Sequence, residues 1–285
     1  MEMRRMFAPA KVNLFLEVLE RRADGYHAIR SVMQSLDLGD TITVWAARGA
    51  RKNEIALRCS DASLPCDARN LAYRAAVRYL EAAGISDAAV EIEVEKRIPI
   101  AAGLAGGSAD AAAVLLLLNQ AFGRTMDRDA LCRLGAGLGA DVPFCICAAE
   151  NGGAMLAAGI GEVLTAAAGL PESAWVLLAA FDFPVSTAWA YAELDRVRGG
   201  AAVRTERAET LYNAFEDAVI PHYPVIGEVK RGMLDGGARG ALMSGSGATV
   251  FGVFEEEAAA RAAAGRLARI YGVRTFLCRP YAPGR

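Results

Sequence analysis

The chain is expected to fold as an α+β protein of two domains, and three features of its 285 residues predict this. The first third alternates apolar and polar residues with the two-residue period of strands. A glycine-rich stretch, Gly103-Leu104-Ala105-Gly106-Gly107-Ser108, then separates a strand-like segment from a long helical run. After a Gly/Ala-rich passage over 152–169 both periodicities begin again, which places a boundary near 160–170 and divides the chain into 1–160 and 161–285. The length fits one large or two ordinary domains at roughly 100–200 residues each.

In Lys11–Glu20, Val12, Leu14, Leu16 and Val18 fall on one face, which sends Lys11 and Asn13 to the other. Thr41–Trp45, Ile55–Cys59 and Val90–Val94 follow as strands, the last turning Glu91, Glu93 and Glu95 outward. Arg69–Ala83 has helical periodicity and stops at Gly84. Ile98–Ile100 is expected as the strand before the glycine-rich loop, and Ala111–Phe122 as the helix after it. Asp127 is a fitting N-cap for a helix running to Leu138, and an apolar strand is expected from Val142. In the second half, Trp175–Phe181, Arg239–Met243, Thr249–Phe254 and Val273–Cys278 read as strands. Thr187–Val197, Glu206–Val219, Tyr223–Leu234 and Glu256–Ile270 read as helices.

Composition excludes several classes. With 54% hydrophobic and 22% charged residues and a net charge of −2, the chain has ample material for a core and no signature of disorder. It lacks the basic surplus that neutralising nucleic-acid phosphates requires. The longest apolar run, Ala111–Leu118, is too short for a membrane span of about 20 residues. Ala8-Pro9-Ala10 looks like a cleavage site but precedes the apolar stretch, so an unprocessed cytoplasmic protein is expected. The six cysteines form no CxxC pair, and His27 and His222 lie far apart, which argues against zinc and for buried free thiols.

Several residues carry possible chemistry. Three glycines between a strand and a helix let backbone N–H groups close on an anion at a helix N-terminus, where a Cβ would hold it off. No Gly-Lys-Ser/Thr follows, so this is no Walker A loop, and the spacing is wrong for a dinucleotide fingerprint. On its own the loop fits a structural turn as well as a phosphate cradle. Met243-Ser244-Gly245-Ser246-Gly247-Ala248 alone reads as a hairpin turn; together the two loops suit a phosphate chain gripped between domains. Taken singly, Asp141 in Gly139-Ala140-Asp141-Val142-Pro143 is a turn aspartate, Lys11 a solvated edge lysine, Asp24–His27 a hairpin and Tyr191 a core aromatic.

Together these residues resemble the GHMP kinase superfamily. Gly103–Ser108 is similar to its central phosphate-binding motif, the Lys11 strand to its first motif, and Ser244–Gly247 to its third. Ala8–Leu14, Arg22–His27, Gly139–Phe144 and Asn213–Glu216 extend the likeness over nearly the whole chain. Asp24-Gly25-Tyr26-His27 is the most discriminating segment. It resembles the branch that phosphorylates a cytidyl-linked methylerythritol in the non-mevalonate route to isoprenoids. Ala101, Ala105 and Ala109 depart from the pattern, standing where many members carry glycine or serine, which leaves Ser108 as the nearest hydroxyl.

The resemblance implies an N-terminal nucleotide-binding α/β domain and a C-terminal α+β, sandwich-type substrate domain, with ATP and substrate meeting between them. ATP would lie on Pro99, Ile100, Ala101, Ala102, Gly103, Leu104, Ala105, Gly106, Gly107, Ser108 and Ala109. Asp141 would take the proton of the substrate hydroxyl, and Lys11 would keep that carboxylate ionised and stabilise charge at the transferring group. Asn13, Tyr26 and His27 would hold the cytidine end, with Tyr191 a second aromatic and Ser244, Gly245, Ser246 and Gly247 completing the substrate side. Mg²⁺ would accompany ATP, with no protein ligand assigned. The rivals are a related kinase for homoserine or mevalonate, a non-catalytic nucleotide sensor, and an RNA-binding module. Asp24–His27 argues against the first, the joint presence of Lys11 and Asp141 against the second, and the acidic balance against the third.

Overall fold

Alternating sequence becomes two very long strands, β1 (Glu2–Arg21) and β2 (His27–Arg48), paired antiparallel. The computed structural model describes residues 1–199 and 211–284. β3 (Glu54–Cys59), α1 (Leu71–Ala82) and β4 (Ala88–Glu95) form a crossover unit, with β3 parallel to β4 and β4 antiparallel to β2. Asn70 caps α1, its side chain accepting the Ala72 amide. Then come α2 (Gly106–Ala121), α3 (Arg128–Ala136), α4 (Val142–Asn151) and the hairpin β5 (Ala154–Ala158) and β6 (Val163–Ala166), which joins the sheet through β2. The second half holds β7 (Trp175–Ala180), α5 (Thr187–Arg198), β8 (Tyr212–Asn213) and α6 (Glu216–Val219). It ends with α7 (Pro224–Asp235), β9 (Gly240–Met243), β10 (Val250–Phe254), α8 (Glu257–Tyr271) and β11 (Arg274–Cys278).

The first sheet runs β3-β4-β2-β1-β8, so β1 is an interior strand, and the second runs β11-β7-β10-β9, all antiparallel. α2 is buried from Ala109 to Asn119 and apolar there except at Asp110 and Asn119, as befits a helix enclosed by α1, α4 and the β1–β2 ribbon. The second sheet is covered on both faces. Val176, Leu178, Leu242 and Phe251 join the first core, while Leu177, Ala179, Ala241, Met243 and Val250 join a second core with α7 and α8. Alternate residues of one strand therefore serve two different cores.

The structure corrects four expectations. Ile98–Ile100 is not a strand: Asp40, buried, accepts the amides of Arg97 and Ile98 and so replaces a ladder partner. The run from Val142 is a helix, because Pro143 in its first turn sets a helical φ and needs no donor there. Glu206–Val219 is not one helix. Its first residues, 206–210, lie outside the described residues, and the rest divides into β8 and the short α6. Finally, the face shared by Val12, Leu14, Leu16 and Val18 is broken by a bulge. The partner of Asn13 is Met33 and that of Phe15 is Val32, so Leu14 is inserted and the parity of β1 changes.

Candidate active site

Lys11 and Asn13 line one cavity wall, and the bulge after them brings Leu16 onto the same wall. Lys11 is no solvated edge lysine: it is only 4% exposed on an interior strand. Its ammonium donates to Asn13 Oδ1 at 2.7 Å, Asn13 Nδ2 donates to Ser31 Oγ at 2.8 Å, and Ser31 donates to the Phe15 carbonyl at 2.8 Å. A buried polar chain of this kind fixes a charged group only because every member is partnered. Asp141 stands opposite, immediately before α4, and its carboxylate caps no amide of that helix. Its Oδ2 lies 3.5 Å from Lys11 Nζ. A buried cation thus faces a half-open carboxylate across the cleft.

The Lys11 backbone N–H also donates to the Leu104 carbonyl at 3.1 Å, tying the glycine-rich loop to β1. Within that loop Ala101, Gly103 and Ala105 have φ of 54°, 73° and 60°. Alanine adopts the left-handed region at some cost, so the two departures from glycine are accommodated rather than avoided. The first intrahelical bond at this end runs from the Ala109 amide to the Ala105 carbonyl, which leaves the amides of Gly106, Gly107 and Ser108 free for an anion. They border a cavity of 520 Å³ that also takes in Pro99–Leu104 and Asn70. Ala109 is buried in the helix and lines neither cavity.

The Ser244–Gly247 loop joins β9 to β10 and closes over the first loop. Ser244 Oγ donates to the Gly103 carbonyl at 3.0 Å, and a Cβ on Gly103 would collide with the Ser244 carbonyl. Asn213 Nδ2 donates to the Met243 and Gly245 carbonyls at 2.6 and 2.8 Å, and Ser246 Oγ meets Thr187 Oγ1 at 2.9 Å. Below the glycine-rich loop lies a buried trio: Lys96 Nζ donates to Asp40 at 2.5 Å and to Asp110 at 2.8 Å. Burial, opposed by Lys96 and reinforced by the Asp40 carboxylate, pushes the Asp110 carboxyl up to about 7.

A second cavity of 760 Å³ contains Lys11, Asn13, Asp141, Tyr26, His27, Tyr191, Gly245 and Ser246. His27 stacks on Tyr191 with ring centroids 4.8 Å apart and planes inclined by 14°, and Phe215 meets Tyr191 edge-on. Burial, with the Asp141 charge, raises the Tyr191 hydroxyl to about 12, which keeps it a hydrogen-bond donor. Tyr26 follows an Asx turn in which Asp24 Oδ1 accepts its amide, and it stands 63% exposed at the rim. No ring lies against it among the described residues. The two cavities share Gly103, Ala105, Ser108 and Thr187, so a ligand in one abuts a ligand in the other.

Sequence reasoning missed Ser31, Thr187, Asp195, Lys96, Asp40 and Asp110. In the sequence Asn213 reads only as part of a motif, although its side chain holds the Ser244–Gly247 loop. Their roles come from pairings 14 to 168 residues apart, which no local pattern displays. Among the described residues no three His, Cys, Asp or Glu side chains gather to hold a metal ion, and no helix is long and apolar enough to cross a membrane. All six cysteines are free; Cys145, Cys147 and Cys278 are buried as expected, whereas Cys66 is exposed.

The model of the GHMP kinases N terminal domain matches residues 70–149, and that of the GHMP kinases C terminal matches residues 196–273. A 4-diphosphocytidyl-2-C-methyl-D-erythritol kinase of Geobacter sulfurreducens is 46% identical over 265 residues, covering 90% of this chain and 92% of its own. The crystal structure of a 4-(cytidine 5'-diphospho)-2C-methyl-D-erythritol kinase superposes with a TM-score of 0.80 at 35% identity, over 96% of this chain and 98% of that one. A homoserine kinase from Cytophaga hutchinsonii shares the fold, with a TM-score of 0.69 at 21% identity over 99% of this chain and 95% of its own. Matched in both halves by the superfamily models and along nearly its whole length by these relatives, the chain belongs to the GHMP kinases, and within them to the 4-diphosphocytidyl-2-C-methyl-D-erythritol kinase family.

Proposed function

We propose that the chain transfers the γ-phosphoryl group of ATP to the 2-hydroxyl of 4-diphosphocytidyl-2-C-methyl-D-erythritol. The observation that carries this is the Lys11–Asp141 pair, held at 3.5 Å in a cavity that meets the glycine-rich loop at Ser108. ATP lies with its phosphates on the free amides of Gly106, Gly107 and Ser108, and the diphosphocytidyl polyol fills the larger cavity. Asp141 accepts the hydroxyl proton as the oxygen attacks the γ-phosphorus, and the bond to the bridging oxygen breaks to release ADP. Lys11, oriented by Asn13, balances the negative charge gathered there. His27, Tyr191 and, at the rim, Tyr26 hold the cytosine, while the Ser244–Gly247 loop closes the site from the second half.

Mg²⁺ would accompany the ATP phosphates, and the residues that would hold it alongside phosphate and water are Ser108, whose hydroxyl borders both cavities, and Asp141, whose carboxylate lines the larger one. When bound it supplies neutralisation of phosphate charge. The division into 1–160 and 161–285 is one of labour. The first part supplies Lys11, Asp141 and the glycine-rich loop; the second supplies Tyr191 and the Ser244–Gly247 loop. A cytoplasmic enzyme fits soluble substrates of this kind.

The test is ATP consumption with the cytidylated polyol against bare 2-C-methyl-D-erythritol. The first is expected to be turned over and the second to be a very poor acceptor; equal rates would leave only a general small-alcohol kinase. Asp141→Asn should lower kcat by about 10²–10⁴-fold with ATP binding kept. Near-normal kcat would make Asp141 a turn residue.

A further inference from the structure

His27 opens β2, and its imidazole is met from α5 on two sides. Tyr191 and Asp195 are four residues apart on that helix and so share a face. Tyr191 takes the flat of the ring, and Asp195 Oδ1 lies 2.8 Å from Nε2 at its edge. Asp195 is 39% exposed, and its carboxylate has no other partner among the described residues. The second ring nitrogen, Nδ1, has no protein partner among them either, yet it is not one of the buried polar atoms left unsatisfied. His27, Tyr191 and Asp195 all border the larger cavity.

A carboxylate has no proton to give, so in the neutral ring the hydrogen sits on Nε2 and Nδ1 keeps its lone pair. We propose that Asp195 is a specificity-determining residue, which fixes His27 as a hydrogen-bond acceptor toward the cavity and so selects a base bearing an exocyclic amine over one bearing a carbonyl there. Cytosine offers that amine, and uracil offers a lone pair that would face another lone pair. This rests on the cavity being the cytidyl pocket. The substrate atoms never touch Asp195 in this scheme; it positions a proton on the ring that does the reading. The physics is that of a site built to accept an N–H, which rejects an isostere lacking one far more strongly than shape alone does.

Two measurements test it. The chain has only two histidines, so nitrogen-15 spectra of the imidazoles at about pH 8, above the ordinary titration range, can be assigned with a His222→Gln variant. His27 is expected as the tautomer protonated at Nε2, and a hydrogen found on Nδ1 overturns the proposal. In kinetics, Asp195→Leu removes the acceptor at Nε2 and so lets the ring carry its hydrogen on Nδ1. The preference for the cytidyl-linked over the uridyl-linked acceptor in kcat/KM should then fall at least about tenfold, with the KM for ATP and the melting temperature unchanged. If both acceptors weaken equally while the cytidylated polyol still far outruns the bare one, Asp195 merely packs the ring and the proposal alone is lost. If the wild type takes the bare polyol equally well, the cytidyl pocket itself falls, and the proposal with it.

Discussion

At Gly107 a single methyl group should move stability and nucleotide affinity in opposite directions. A Cβ there meets only Leu71 Cδ1 at 3.5 Å, an ordinary contact, and the residue is exposed in the first turn of α2. Glycine inside a helix is about 0.8–1.0 kcal/mol less favourable than alanine. If a first-turn position keeps half of that, Gly107→Ala gains about 0.5 kcal/mol, or roughly 1–2 °C in Tm at about 2–4 °C per kcal/mol. The same methyl projects beside amides that border the 520 Å³ cavity. Loss of one charge-assisted hydrogen bond there, about 1.5–3 kcal/mol, weakens ATP binding by about 10- to 150-fold. Gly106 supplies the contrast, because its Cβ would lie 3.1 Å from Ile98 Cγ2 and 3.3 Å from Lys96 Nζ. Gly106→Ala should therefore lose stability as well as affinity. Thermal melting and calorimetric titration with a non-hydrolysable ATP analogue read both quantities. A Gly107→Ala protein that melts lower and binds ATP normally would refute the anion-cradle reasoning.

Two further substitutions probe the buried polar groups. Ser31→Ala strands the Asn13 amide at a residue only 3% exposed, which should cost about 1–3 kcal/mol in urea unfolding and lower kcat as Asn13 loses its aim at Lys11; a stability loss with unchanged kcat would mean that the chain only braces β1. Asp110, held near 7 against about 3.9 unfolded, keeps a proton that the unfolded chain has shed, so stability should fall as pH rises from about 4 through 7. Asp110→Asn should flatten that fall between about pH 5 and about pH 8 in urea unfolding, and parallel slopes for the two proteins would contradict it.

How far the sequence reveals this fold depends on the range of the forces at each position. Val90–Val94, Arg69–Ala83 and Asp127–Leu138 were legible because their periodicity and caps are local, and β4, α1 and α3 lie where they were expected. The run after Asp141 was ambiguous because a continuous apolar segment suits a buried strand or a buried helix equally, although Pro143 held the deciding clue. The short β8 could not be read at all, since two residues become a strand only by pairing with Phe15 and Leu16. At the site, Lys11, Asn13 and Asp141 were singled out by motif, yet the inserted Leu14, which brings Leu16 onto the wall that Lys11 and Asn13 line, is invisible to alternation. His27 and Tyr191 were named separately, and only the tertiary structure stacks them and adds Asp195.

Because odd and even residues of β7, β9 and β10 answer to different cores, neither half of this protein is an interchangeable cassette. Val176 and Leu178 must suit partners contributed by residues 1–160, while Leu177 and Ala179 must suit α7 and α8. A graft cut at 160–170 would keep one set of matches and break the other, and would also part β8 from the strand whose edge it closes. Exchange of specificity between relatives is thereby confined to the side chains that line the cavities, where a residue such as Tyr26 is free to change without disturbing either interior.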